Sequence, residues 1–176
     1  MSTTTIINSD RIKLRTLDDH DAAFYLELHN DPSFIENIRD KGIRTLEDAK
    51  VAIQTAHNEV QEKQGFSLFL IERLEDGAAL GLCGLVKRDN LPGIDIGYAL
   101  LPRHWGQSYA YEACKLTMQF AANTVKLEEL YAIVSPHNIA SSKLLEKLGF
   151  QRRKTISLSE GNPVTLFHTT LTTVKS

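Results

Sequence analysis

Apolar and polar residues alternate along this chain in two different periods. Arg11–Arg15 alternates charged and apolar residues, as a half-buried strand does. Thr16 then opens a helix, with Asp19 three residues on in capping-box fashion. Ala22, Tyr25, Leu26 and His29 share one face of that helix, and Asn30-Asp31-Pro32 ends it. Thr45 with Asp48 opens a second helix, whose Ala49, Ile53, Ala56 and Val60 lie together. From Phe66 the period shortens. Ser67–Arg73 and Leu80–Lys87 read as strands joined at Glu75-Asp76-Gly77, and a turn at 90–93 leads into a third strand, Ile94–Leu101. Tyr109–Asn123 returns to the helical period, with Tyr109, Ala113, Leu116 and Phe120 on one face. A strand Leu130–Val134, a helix Asn138–Leu148 stopped by Gly149, and a hairpin of Phe150–Leu158 with Val164–Leu171 complete the chain. The order is β-α-α-β-β-β-α-β-α-β-β, a mixed α/β arrangement with about four helices. No repeat or low-complexity linker divides it, so residues 1–176 are expected to form a single domain.

Composition narrows the function. A net charge of -2 and no clustered Lys/Arg face argue against nucleic acid as a partner. The apolar runs Phe66–Ile71 and Ala78–Val86 are too short to span a bilayer, and the polar Met1–Asp10 stretch is not a secretory signal. Cys83 and Cys114 do not make a disulfide framework, which fits a reducing cytoplasm. None of the six histidines pairs with Cys or another His at a ligand spacing, so no metal site is expected.

The stretch Ile94–Glu112 carries the most chemistry. A strand runs into a short glycine-containing loop and straight into a helix. Successive N–H groups of such a loop, with the free donors of the first helical turn, cradle an anion, and a pyrophosphate suits it. Gly106 would turn with positive φ and bring the backbone close to oxygen atoms. Arg103 would add charge at the rim. A single glycine before a helix is also an ordinary turn, and neither G-x-G-x-x-G nor G-x-x-x-x-G-K-[ST] is present. In the second stretch, Val134–Phe150, a strand again precedes a helix. Asn138 there is a natural N-cap with Ser141 at N3, which leaves room for a ligand contact from the same side chains.

Together the two stretches resemble the GNAT acetyltransferases, and within them the branch of Rim-type N-terminal acetylases of ribosomal proteins. Arg103-x-x-Gly106-x-Ser108 is similar to the family's [QR]-x-x-G-x-[GA] motif and is followed by the usual Tyr-Ala-x-Glu-Ala at Tyr109–Ala113. Asn138 to Phe150 is similar to its Asn-x-x-Ser-x-x-Leu-Leu-Glu-Lys-Leu-Gly-Phe signature. The resemblance extends over about Arg11 to Leu171. It implies a GNAT fold: a mixed, mostly antiparallel twisted sheet whose central strands Ile94–Leu101 and Leu130–Val134 splay apart. It also implies acetyl-CoA as cosubstrate, its pantetheine pairing between those strands. Tyr98, Ala99 and Leu100 would offer backbone groups to it. Gln107, Ser108, Tyr109 and Ala110 would donate to the pyrophosphate, Asn138 would meet the pantetheine amides, and Ser141 would lie near the sulfur.

Two departures from the pattern matter. Ser108 stands where Gly or Ala is usual, and Leu145 stands where some members carry a tyrosine acid. With Cβ already present, Ser108 is expected in an ordinary backbone region. The implied reaction is direct attack of a primary amine on the thioester. A lysine amine is neutral in roughly one molecule in 2,500 at pH 7, an α-amine in roughly 10–17%. A lysine acceptor therefore needs a base more. Asp95 is the leading candidate base, since related histone acetyltransferases place a glutamate at the matching position. The pattern alone does not say which face it occupies, and a solvent-facing carboxylate fits equally. Ser141 would hydrogen-bond the departing thiolate. Glu160 and Glu112 are weaker candidates for the base, and Glu112 suits the helix N-terminal dipole better. Two rival readings are a non-catalytic acyl-CoA-binding or partner-binding module and a nucleotide-binding α/β protein. The acceptor-side segment Asn30–Arg44 mixes Asp31, Glu36 and Asp40 with Arg39, Lys41 and Arg44, so its composition selects no substrate charge.

Overall fold

Strands form where one or both faces of an alternating segment are covered. They are β1 (Thr5–Asn8), β2 (Ile12–Arg15), β3 (Leu68–Arg73), β4 (Ala79–Val86), β5 (Asp95–Leu100), β6 (Glu129–Val134), β7 (Gln151–Ser159) and β8 (Asn162–Thr170). All eight lie in one sheet, in the order β1-β2-β3-β4-β5-β6-β8-β7. The computed structural model describes residues 3–159 and 161–173. Neighbouring strands are antiparallel except β5 and β6, which run parallel because a helical crossover joins them.

The helices are α1 (Ala22–Asn30), α2 (Pro32–Asn37), α3 (Leu46–Ala52), α4 (Glu59–Gln64), α5 (Tyr109–Phe120) and α6 (Ile139–Lys147). A π-helical stretch, Ile53–Asn58, joins α3 to α4, and a second, Ala121–Val125, follows α5. Thr45 and Asp48 form the expected capping box on α3, and Asn138 caps α6 by accepting from the Ser141 N–H at 3.2 Å.

Three expectations need correction. The first capping box is Asp18 with Asp21, on a 3₁₀ turn over Asp19–Asp21. Thr16 instead accepts a bond from the Thr4 N–H at 2.8 Å, tying down β1, an edge strand with no apolar alternation to announce it. Pro32 does not merely end α1. It starts α2, where its missing N–H costs nothing at the first helical position and Asp31 caps Ser33.

Two apolar layers flank the sheet. On one face Phe69, Ile71, Cys83, Ile96 and Leu100 pack against Ala113, Cys114, Leu116 and Phe120 of α5 and Leu145 of α6. On the other, Leu70, Leu82 and Leu101 pack against Tyr25 and Leu28 of α1, Phe34 of α2, and Ala49. Within the second layer Tyr25 Oη lies 2.9 Å from His57 Nε2. The Nδ1 atoms of His57 and His29 face the carbonyls of Leu68 and Tyr25 at 3.1 and 2.8 Å. A carbonyl only accepts, so both Nδ1 atoms carry hydrogen. Burial holds both imidazoles down at about 4.

Candidate active site

The expected divergence of the central strands is present. β5 and β6 meet at Asp95 and Tyr131, where the Tyr131 N–H donates to the Ile94 carbonyl at 3.0 Å, and then part. Polar backbone groups alternate sides along a strand. Ile94 points toward β6, so Tyr98 and Leu100 do too, whereas Ala99 points toward Leu82 of β4. The Leu100 carbonyl is taken by Trp105 Nε1 at 3.1 Å. Of the three residues expected to offer backbone groups to the opening, Tyr98 therefore has its N–H and C=O directed there without a strand partner. Ala99 belongs to the β4 ladder.

The opening leads to the loop before α5. Gly106 and Ser108 both have left-handed backbones, with φ of 76° and 66°. The positive φ expected of Gly106 is present. A Cβ there would meet no protein atom within 4 Å, so within the protein the residue supplies conformation rather than clearance. The expectation for Ser108 does not hold: its Cβ is carried in a region that costs a non-glycine residue roughly 1–2 kcal/mol. Its hydroxyl makes no cap bond. The two left-handed residues flank Gln107. Among the described residues no acceptor takes the main-chain N–H of Gly106, Gln107, Ser108, Tyr109 or Ala110. The helical ladder begins with Glu112, whose N–H donates to the Ser108 carbonyl at 3.1 Å.

Side chains hold this loop in place. Arg11 donates to the Gln107 carbonyl at 3.0 Å and to Glu112 at 2.9 Å, and its guanidinium lies over the Tyr109 ring at 4.4 Å. Ser9 completes the set by donating to Glu112. Glu112 is thereby a strut of the loop and no candidate base. Arg103 forks onto Glu27 of α1, so its charge is matched within the protein. Glu160 lies outside the described residues.

On the α5 face, the Tyr98 side chain crosses the opening. Its hydroxyl hydrogen-bonds the Ser141 hydroxyl at the start of α6. Burial raises the Tyr98 phenol above its ordinary range, so it stays protonated at neutral pH. The family resemblance puts Ser141 beside the opening but not its partner, which lies 43 positions away in the chain. Leu145, where some relatives of this kind carry a tyrosine, is core.

Asp95 lies on the opposite face from Tyr98, with 0% of its surface exposed. The solvent-facing alternative is thus excluded. Both carboxylate oxygens are 3.3 Å from Nε of Arg88, in the β4–β5 loop, and burial pushes the carboxyl up to about 6 despite that partner. A buried carboxylate tuned toward neutrality beside a strand opening is a candidate for acid–base work.

The sequence matches the acetyltransferase (GNAT) domain family over residues 11–151. The chain belongs to the GNAT acetyltransferase family. It is similar to YkkB of Bacillus subtilis, with 34% identity over 89% of this chain and 91% of that protein. It is also similar to the N-acetyltransferase YoaA of the same organism, with 28% identity over 84% and 83%. Its fold superposes on RimL, a ribosomal L7/L12 alpha-N-protein acetyltransferase in complex with coenzyme A, with a TM-score of 0.79, 14% identity and coverage of 96% and 98%. The GNAT fold expected from the two motifs is the fold observed, and the enzyme is an acetyltransferase.

The buried titratable groups of this acetyltransferase set an acid limit. His29 and His57 bind protons in the unfolded chain below about 6.5 but in the fold only below about 4, so stability falls as pH drops through that window. Asp95 opposes this, because its folded carboxyl takes up a proton near 6 and the unfolded one near 3.8. Two imidazoles outweigh one carboxyl, and the net loss is on the order of a few kcal/mol. Urea midpoints at pH 7.0 and 4.5 measure it: a clear fall is expected, and equal midpoints would contradict it. Among the described residues no helix is long and apolar enough to cross a membrane.

Proposed function

We propose that this acetyltransferase moves an acetyl group from acetyl-CoA to a primary amine by direct attack. The observation that carries the reading is the run of unpaired amides from Gly106 to Ala110 at the head of α5, beside the parting of β5 and β6. A pyrophosphate supplies the acceptors those donors lack, and the α5 dipole favours its charge. Acetyl-CoA brings an activated thioester, whose C–S bond breaks as the nitrogen–carbonyl bond forms.

The chain's residues do the rest. Asn138 spends its side-chain oxygen on the Ser141 N–H, which leaves its Nδ2 to donate to the pantetheine arm. The Tyr98 N–H faces the opening and would donate to the thioester oxygen as negative charge develops there. Asp95 would accept the amine proton. With a carboxyl at about 6 it is mainly ionised at pH 7, yet more basic than an ordinary aspartate. Ser141 would donate to the departing sulfur, and Tyr98 is the positioning residue that orients its hydroxyl. Two cysteines left as free thiols suit a cytoplasmic setting.

Acetyl-CoA and CoA should raise the melting temperature, by an amount corresponding to about 2.7 kcal/mol at a hundredfold excess over Kd. NAD and ATP should act weakly. No shift with millimolar acetyl-CoA sinks the coenzyme assignment.

A further inference from the structure

The charges of the acceptor-side segment sort themselves once their partners are seen. Asp31 caps α2. Asp40 pairs with Arg44, and Arg44 also donates to Asn30 at 3.0 Å. These groups are spent on the segment itself, and Glu36 is its exposed carboxylate without an ion pair among the described residues. Arg39 and Lys41 are exposed and make no ion pair among the described residues. The Lys41 ammonium stands 5.8 Å from the centre of the Phe34 ring. Although its residue is exposed overall, protein packed around the ammonium pushes it down to about 8, with Arg39 and Arg88 adding to the fall and no carboxylate of the described residues opposing it, so it is still mainly charged at pH 7.

The segment also sits over the site. Ser135, just past the open end of β6, donates to the Asn37 carbonyl at 2.7 Å, which ties the end of α2 to the splay. At the other end of the opening stands Arg88, on Asp95. Asp95 and Ala99 share the sheet face that α1 and α2 cover, and Ala99 packs in that layer. Arg39, Lys41 and Arg88 thus rim the side from which an amine would approach, and among the described residues the carboxylate within hydrogen-bond reach of them is the buried Asp95, on Arg88.

We infer that the acceptor is an amine carrying an anionic group beside it, such as a peptide N-terminus followed by an acidic residue, and that Arg39, Lys41 and Arg88 receive that group. This rests on the coenzyme reading above. With Asp95 and the neighbouring Glu36 set against them, the three cations still leave this rim net positive, which disfavours a polyamine that brings several positive charges to it. An anion near the amine gains from the same field, and Asp95 keeps Arg88 extended toward it.

The test is thiol release with alanyl-aspartyl-glycinamide, alanyl-asparaginyl-glycinamide, alanyl-lysyl-glycinamide and spermidine. The three peptides share one terminal amine and differ in the next charge. The acidic peptide should exceed the asparagine peptide in kcat/KM by at least about tenfold, the lysine peptide should be slowest, and the gap should shrink with added salt. The Arg39→Glu/Lys41→Glu variant should reverse the order of the acidic and lysine peptides. Lys41→Gln should narrow the gap should the double variant fail to fold. The inference is overturned if the acidic peptide is unused or no faster than the asparagine peptide, if spermidine matches it, or if the order survives charge reversal. Calorimetry with acetyl-CoA on the same samples separates the causes. Absent binding removes the coenzyme reading and this inference with it, whereas binding with charge-indifferent rates removes this inference alone.

Discussion

Ser108→Pro and Gly106→Val should each weaken coenzyme A binding by more than about 100-fold, while Ser108→Ala stays within tenfold of the unchanged protein. Ser108 has φ of 66°, and proline is held near −65°, so Ser108→Pro cannot keep this backbone. It also removes one of the unpaired N–H donors. A lost hydrogen bond to a charged group is worth roughly 1.5–3 kcal/mol, and a displaced loop adds about 1–3 more. Gly106→Val fails for a different reason. Space is available for the side chain, but a β-branched residue at φ of 76° is a backbone outlier. The loop must then open, and the amides no longer converge. Ser108→Ala retains both the N–H and the left-handed Cβ, so little changes. Ser108→Gly relieves the strain and loosens the unfolded chain; these effects nearly cancel, leaving stability unchanged or up by at most about 1 kcal/mol. Calorimetry with CoA measures the affinities of the first three variants, and urea midpoints measure the stability of Ser108→Gly. If Ser108→Ala loses as much affinity as Ser108→Pro, the hydroxyl makes the contact and the backbone cradle is wrong.

The loop was legible because its signal is local. A strand, a glycine and a helix start lie within a few residues, and the same holds for Asn138 with Ser141. The meander β3–β5 and the helix α5 were legible from their periods. What escaped had no local signature. β1 is a half-exposed edge strand held by Thr16 and by pairing to β2. α2 hides behind a proline that acts as a starter, because Asp31 before it is a cap. The face of Asp95 was unreadable because β5 is covered on both sides, so burial does not alternate along it. The pairing of Tyr98 with Ser141 and the sorting of the charges on Asn30–Arg44 depend on the tertiary fold. The strain at Ser108 was concealed by the residue itself, since a serine gives no notice of a left-handed backbone.

Asp95→Asn should lower kcat about 10²-fold or more with a lysine-like amine, less with an α-amine, and at the same time make the protein more stable at pH 7.5. The sign of the second effect follows from linkage. A carboxyl whose folded value is about 6, above the ordinary 3.8, costs stability wherever it is ionised in both states, and that cost fades as pH falls below 6. Removing the charge removes the cost, on the order of 1–3 kcal/mol, since Asp95 is fully buried and Arg88 can turn to solvent. The gain should vanish near pH 4. A base also leaves a mark on the rate: the unchanged enzyme should lose kcat/KM as pH falls through about 6, and the variant should lack that limb. Tyr98→Phe tests the opposite face. It keeps the ring and the Tyr98 N–H but frees the Ser141 hydroxyl, so kcat should fall roughly 10–100-fold with KM for acetyl-CoA little changed. Because Tyr98 acts through Ser141, Tyr98→Phe combined with Ser141→Ala should be no slower than Ser141→Ala alone. Additive losses would mean that the two hydroxyls act separately, and an Asp95→Asn protein with full rate and an unshifted pH profile would leave Asp95 as the anchor of Arg88 alone.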